Sequence, residues 1–402
     1  MAAVPGPLNG VRVIDMTTVV MGPYATQILG DYGADVIKVE SPKGDSTRAL
    51  GPARNPGMGH IFLHANRNKR SVVLDLKQPE GLEALLYLIR SADVLISNVR
   101  AAAMARLGLS YAKLSETNPR LIMVGLVGYG QRGPYAAKPA YDDLLQGLSG
   151  VASLSAVAGG SEPRYAPVTL SDRTVALSAV NAVLGGLYHR ERTGEGQEIE
   201  IPMFETTVQF VMGDHLGGLS YDPPIGTAGY ARLLSRDRRP YATRDGYICV
   251  MVYTDDNWRD FLAEIGQPAL FDRDPRFATL QARTQNISAL YALVADAMRG
   301  RTTRQWLDVL DRLDIPAMPM HTADSLIDDA HLKAIDFFRI VEHPSEGKIR
   351  EMDIPGTWSK TQPTVRRRAP LLGEHTAEVL REFGMPEELV VNLLNPSRHR
   401  AG

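Results

Sequence analysis

The chain has 402 residues, 44% of them hydrophobic and 22% charged, with a formal net charge of -2. That balance is the profile of a soluble globular protein. It excludes a disordered chain and a general nucleic-acid binder, which needs a broad basic face. No apolar run reaches the roughly 18 residues that a membrane span requires. The length exceeds one ordinary hydrophobic core, so two domains are expected. The start, MAAVPGPLNG, lacks a basic stretch followed by an apolar one, so no secretory signal is read and a cytoplasmic location is expected. Cys249 is the single cysteine, which rules out an intrachain disulfide and any thiolate metal cluster. Within GYICVMVY it reads as a buried strand thiol.

In chain order, VRVIDM (11–16) is a short β-branched strand, YATQILGDYG a helix ending in glycine, and ADVIKVE (34–40) the next strand. This is a compact βαβ unit. RSVVLDL (70–76), the helix QPEGLEALLYLIRSA, DVLISNV (93–99) and RLIMVGLVGYG (120–130) continue the alternation. Strands separated by single helices imply a parallel sheet covered on both faces. The first strand-to-helix junction, DMTTVVMGPYA, holds no G-x-G-x-x-G, which weighs against a dinucleotide-dependent dehydrogenase. After about residue 215 the texture turns to Gly-, Pro- and Arg-rich loops, then a strand at YICVMVYT and several helices. The expected organisation is a large domain over 1–219, a smaller α+β domain over 220–330, and a return segment over 331–402 that completes the large domain. RDRR (236–239) and RRR (366–368) read as solvated turns or anion contacts.

The stretch PVTLSDRTVAL opens a long helix that is apolar on almost all sides from residue 175 to 188, so it is expected to be buried all round. The turn TGEG ends it before the strand EIEIPM. Ser171 and Asp172 are good N-cap types, and capping is the plain reading of Asp172. A carboxylate there would also be held ionised by the helix dipole, and the free amides beside it would suit an oxyanion. His60 and His64 have i, i+4 spacing but no third ligand, so no metal is expected.

A set of stretches in fixed order carries a resemblance: LNGVRVIDMTTVVMGPYATQILGDYGADVIKVESPKGDSTR, NRNKRSVVLDLKQPEG, DVLISNVRAAAMARLGL, YDDLLQGLSG, SDRTVALSAVNAVLGGLYHRERTGEGQEIEIPMFE, DPRF and PLLGEHTAEVL. Together they cover nearly the whole chain, which resembles a class III CoA-transferase of the CaiB/BaiF family. The resemblance implies an α/β fold with a Rossmann-like large domain and a smaller α+β domain, in a homodimer whose protomers interlock like links of a chain. It implies transfer of CoA from an acyl-CoA to a free carboxylic acid, with an aspartate nucleophile at Asp172. Coenzyme A and its thioesters are substrates in this reading, with no tightly bound cofactor and no membrane or nucleic-acid partner.

For CoA contacts the resemblance points to Val20 and Met21 in the first loop, Leu74 and Lys77 in LDLK, Asn98 and Val99 after the third core strand, Arg106, and Tyr141 rather than Lys138 in KPAYDD. His375 in GEHT matches a family motif and reads as structural. Relatives that racemise acyl-CoAs carry a histidine in GHD; the triplet here is AYD, which argues against racemisation. The glycine-rich loop of formyl-CoA transferases has only GTAGY (226–230) as its nearest counterpart, so formyl or oxalyl specificity is not expected. Arg232, Arg238 and Arg239 offer cations for the second carboxylate of an acid such as succinate, malate or itaconate. The alternatives left open are a racemase or epimerase of the same family and a non-catalytic CoA-thioester-binding paralogue.

Overall fold

A computed structural model describes residues 6–394. They divide into two compact units. One contains the chain up to 149, residues 167–209 and the chain from 333 on; the other contains 150–166 and 210–332.

The first unit is built on β1 (Arg12–Met16), α1 (Met21–Asp31), β2 (Asp35–Glu40), α2 (His60–Ala65), β3 (Lys69–Val73), α3 (Pro79–Arg90), β4 (Val94–Ser97), α4 (Ala101–Arg106), α5 (Tyr111–Thr117), β5 (Ile122–Val127) and α6 (Asp142–Leu148). After α7 (Val151–Gly159), which belongs to the second unit, come α8 (Leu170–Thr193) and β6 (Gln197–Pro202). The strands expected from the alternation all form, and EIEIPM joins them as the edge strand β6. They make one parallel sheet in the order β3-β2-β1-β4-β5-β6.

The two-residue period of a strand sends neighbouring side chains to opposite faces. Val13, Val36, Val94 and Ile122 pack with Met21, Ala25 and Leu29 of α1 and Val175, Ala179 and Val183 of α8. Their neighbours Ile14, Ile37, Leu95 and Met123 pack with Leu85 and Leu88 of α3, Met104 and Leu114. Both faces are therefore dry, as parallel sheets require.

One expectation is corrected here: within the single chain, α8 is not buried all round. Val175, Ala176, Ala179, Val180 and Val183 face the sheet, while Leu177 and Tyr188 on the other side are 51% and 67% exposed. The helix lies on one face of the sheet, so only the stripe turned to the strands is covered. Its end follows the sequence signal: Gly194 is a left-handed C-cap with φ 82°, and its N–H donates to the carbonyl of Arg190 at 2.8 Å.

α9 (Met203–His215) leads from the first unit into the second. There α10 (Ala231–Leu234), β7 (Tyr241–Ala242), β8 (Tyr247–Val250), α11 (Asp255–Glu264), α12 (Leu270–Arg273), α13 (Leu280–Gln285), α14 (Ile287–Met298), α15 (Thr303–Arg312) and β9 (Ala317–Pro319) follow. A small antiparallel sheet, β7-β8-β9, and an aromatic core of Trp258, Phe261, Phe277 and Trp306 hold this unit together. Thr254 and Thr302 start α11 and α15 with full capping boxes. Cys249 is exposed, against expectation, because the sheet is covered on one face: Ile248 turns inward and its neighbours turn to solvent.

The chain closes with α16 (Ala330–Ala334), the hairpin β10 (Phe338–His343) and β11 (Gly347–Met352), α17 (Thr376–Glu382) and α18 (Glu387–Leu394). Val379, Leu380 and Val390 from the last two helices complete the core on the α3 face. No helix among the described residues is long and apolar enough to cross a membrane.

Candidate active site

In a parallel sheet every loop that follows a strand lies at the same carboxyl edge. In this strand order the connections leave β1 and β4 in opposite directions, and the crevice between them is where α/β sheets bind ligands. The β1–α1 loop at this point has no glycine fingerprint and is shaped by buried charge instead. Asp15 accepts from the Thr17 N–H at 2.9 Å, from the Thr26 hydroxyl at 2.6 Å and from Lys69 Nζ at 3.0 Å. Lys38 Nζ donates to the Thr17 carbonyl at 2.8 Å and to Asp45 Oδ2 at 3.0 Å. Burial alone would raise the Asp15 carboxyl; Lys69 and Lys38 instead hold it well below the ordinary carboxylate range. Burial depresses Lys69 to about 8, with Asp15 opposing that shift. Asp45 also lies low: burial would raise it, but Lys38 and the Thr47 hydrogen bonds together outweigh that.

Above this layer Val19 adopts φ 74°, a left-handed conformation that is strained for a β-branched residue. Its N–H points at both oxygens of Asp45, each at 3.3 Å. Asn98, at the end of β4, accepts from the Thr18 N–H at 3.1 Å and donates to the Thr18 carbonyl at 2.9 Å. The two sides of the crevice are thus laced together. Gly22 follows because a Cβ there would lie 2.2 Å from the Thr17 Cβ. Sequence reasoning missed Asp15, Lys38, Asp45 and Lys69; the signal was a charged residue within each of β1, β2 and β3, Asp15, Lys38 and Lys69, which folding can bury only in pairs, while Asp45 in the loop after β2 left none.

The nucleophile expected from the resemblance stands at the same edge. α8 runs into β6, which is parallel to the other strands, so the start of α8 lies where those strands end. Neither Ser171 nor Asp172 is the N-cap. That position belongs to Thr169, whose side chain makes no cap bond, and Asp172 is the third residue of the helix. The cap comes from another helix: Asp142, the first residue of α6, accepts the Asp172 N–H on Oδ1 at 2.9 Å. Gln146 steadies it by donating to Asp142 Oδ2 at 2.6 Å and to the Val168 carbonyl at 3.2 Å. The expectation that the helix dipole keeps Asp172 acidic is also corrected. Burial, and then the Asp142 charge, push its carboxyl up to about 7; Arg173 acts in the opposite direction. Arg173 itself lies over the Tyr24 ring at 4.3 Å.

The remaining expected residues distribute unevenly. Val20 and Met21 are buried, each 5% exposed, at the start of α1, whereas Val19 beside them is 40% exposed. Leu74 is buried directly after β3, and Lys77 is exposed, three residues on. Asn98 engages Thr18 as described, and Val99 is exposed next to it. Arg106 is exposed at the end of α4. Tyr141 precedes α6 and is 70% exposed, while Lys138 lies over the Tyr135 ring at 4.1 Å. The loops after β1, β3, β4 and β5 thus bring Val20, Leu74, Lys77, Asn98, Val99 and Tyr141 to one edge of the sheet with Asp172. His375 is buried, its Nδ1 accepting the Ser71 N–H at 3.3 Å.

In the second unit the three arginines differ. Arg232 is half-buried; it donates to the Tyr291 hydroxyl at 3.1 Å and approaches Met251 Sδ at 3.6 Å, with no carboxylate partner among the described residues. Arg238 and Arg239 are exposed, and Arg239 lies 4.0 Å from Asp237.

Comparison with known proteins identifies the family. The family model described as CoA-transferase family III matches residues 8–376. A succinate–glutarate CoA-transferase from Agrobacterium fabrum is 35% identical over 94% of this chain and 96% of its own. The beta subunit of succinyl-CoA–L-malate CoA-transferase from Chloroflexus aurantiacus is 32% identical over 96% of each. The crystal structure of a CaiB/BaiF family protein from Brucella suis superposes with a TM-score of 0.79 at 30% identity, over 94% of this chain and 100% of that one. A family model matched across nearly the whole length, and relatives at 30% identity or more over almost all of it, give one assignment: the chain belongs to CoA-transferase family III, and it is a CoA-transferase.

Proposed function

We propose that the protein works as a cytoplasmic homodimer that exchanges CoA between the thioester of one carboxylic acid and a second, free acid, with Asp172 as covalent carrier. The carboxylate attacks the thioester carbonyl, the C–S bond breaks, and a mixed anhydride forms as CoA thiolate leaves. The thiolate then attacks the aspartyl carbonyl, the anhydride C–O bond breaks, and the donor acid departs, leaving Asp172 as a CoA thioester. The acceptor carboxylate repeats the two steps in reverse and restores the free aspartate. No proton is gained or lost, and the acyl energy is conserved in each covalent state.

The observation that carries this reading is Asp172 itself: a half-buried carboxylate, more basic than usual, in the first turn of a helix at the ligand-binding edge of the sheet. A basic carboxylate is a better nucleophile, and a recess from water protects an anhydride from hydrolysis. The exposed residues named above at the same edge, Lys77 above all, suit a CoA phosphate chain. A dicarboxylic acid is the substrate class favoured. Relatives act, by name, on succinate with glutarate and on succinyl-CoA with malate, and Arg232 is a half-buried guanidinium free of any carboxylate partner among the described residues. The exposed apolar side of α8, with Leu177 and Tyr188, supports a second copy as its cover in the interlocked homodimer.

The test is trapping. The enzyme is incubated with succinyl-CoA, quenched with hydroxylamine and digested; a hydroxamate on the peptide holding residue 172 is expected. Full-speed exchange with no modification of that peptide overturns the reading.

A further inference from the structure

Two carboxylates meet at the start of α8, and the reaction above uses one of them. Asp142 cannot turn freely: Gln146, one turn along α6, holds Oδ2 at 2.6 Å and leaves Oδ1 on the Asp172 N–H at 2.9 Å. We propose that Asp142 is a positioning residue for Asp172, anchoring the first turn of α8 and setting a negative charge against the ionised nucleophile, so that acylation of Asp172 relieves a repulsion.

The physical argument is one of charge states. Protonation and acylation both convert the Asp172 carboxylate into a neutral group. A fixed negative neighbour disfavours the ionised form relative to either product by about the same free energy. Each tenfold gain in proton affinity that Asp142 confers is therefore about a tenfold gain in the equilibrium for forming the covalent carrier. The other groups that face Asp172 do not supply this. Arg173, on its own helix, favours the anion and is stacked on Tyr24 of α1; His64 of α2 lies near Arg173 and is itself held low by burial, with His60, Arg67 and Arg173 beside it adding to that shift. β5 and β6 turn aliphatic side chains to α8 through Ile122, Val124 and Ile199. Asp142 is the acidic group that adds to burial in raising the Asp172 carboxyl.

The proposal rests on the covalent reading and is tested by Asp142→Asn, which keeps an oxygen for the Asp172 N–H and removes the charge. The acid limb of the kcat/KM profile is expected to move down by about one pH unit, and the hydroxamate yield at residue 172, at fixed succinyl-CoA and pH 8, to fall about tenfold. Asp142→Ser is the second variant, since its hydroxyl also accepts from an N–H; circular dichroism establishes that each variant is folded. A folded variant with an unmoved acid limb and wild-type hydroxamate yield overturns the role of Asp142 while leaving Asp172 as carrier. A wild-type enzyme that gives no hydroxamate overturns the covalent reading and this proposal with it.

Discussion

Lys38 Nζ lies 3.0 Å from Asp45 Oδ2, and neither side chain reaches solvent. The pair sits beneath the loop that forms one wall of the crevice, with Lys38 also holding the Thr17 carbonyl and Asp45 the Val19 N–H. Such a pair contributes little net stability against a well-packed apolar substitute, but leaving either charge alone in the interior is costly.

Lys38→Met therefore strands Asp45, and a loss of roughly 3–5 kcal/mol is expected in urea denaturation. Adding Asp45→Leu to it removes the orphaned charge and is expected to restore part of that loss, which a double-mutant cycle measures directly. The folded-state pKa of Asp45 is depressed, so its contribution is present above the ordinary carboxylate range and is lost as pH falls through the folded value. Acid unfolding of Lys38→Met is expected to lack that component.

Val19 supplies a second prediction. A valine at φ 74° carries strain of about 1–3 kcal/mol, and glycine accepts that conformation freely at an entropic cost of about 0.5–1 kcal/mol. Val19→Gly is expected to raise stability by about 1 kcal/mol, read as a higher melting temperature. An unchanged or lower melting temperature means that the Val19 side chain packs well enough to offset its backbone.

Arg232 supplies the third. If its guanidinium binds the far carboxylate of the acceptor, Arg232→Ala raises KM for succinate or glutarate by roughly 10- to 100-fold and leaves a monocarboxylic acceptor such as acetate unaffected. Equal losses for both classes of acid point to a packing role through Tyr291.

The sheet was legible because its strands read as short β-branched runs, with helices of clear spacing after the first and the third, an alternation that fits a parallel sheet covered on both faces. The family motifs pointed to Asp172 as well. What local sequence could not give was its environment. Ser171 and Asp172 look like caps, but the cap acceptor comes from Asp142, 30 residues earlier, and proximity across a fold leaves no local pattern. Helix periodicity likewise showed the apolar character of α8 without showing that the sheet would cover one side of it. Lys38 was readable as an oddity in ADVIKVE, yet its partner was not, since several acidic residues lie within reach along the chain.

The raised Asp172 carboxyl makes two effects of pH run in opposite directions. Attack on a thioester needs the anion, so with a folded-state pKa of about 7 the rate is expected to rise through that pH and level off above it. Stability follows the other sign. Unfolding lets the group ionise near its ordinary value of 3.8, so between that pH and about 7 the folded form retains a proton that the unfolded form has released, and stability falls as pH rises. Above 7 the full cost is in place. Asp172→Asn is neutral at every pH and is expected to be more stable than wild type by about 2 kcal/mol at pH 8, with no gain at pH 4, while transfer falls roughly a thousandfold or more. Thermal melts of both proteins at the two pH values, beside the rate profile, check the sign: a gain that is equal at pH 4 and pH 8 means that the benefit of Asn is not the removal of a buried charge.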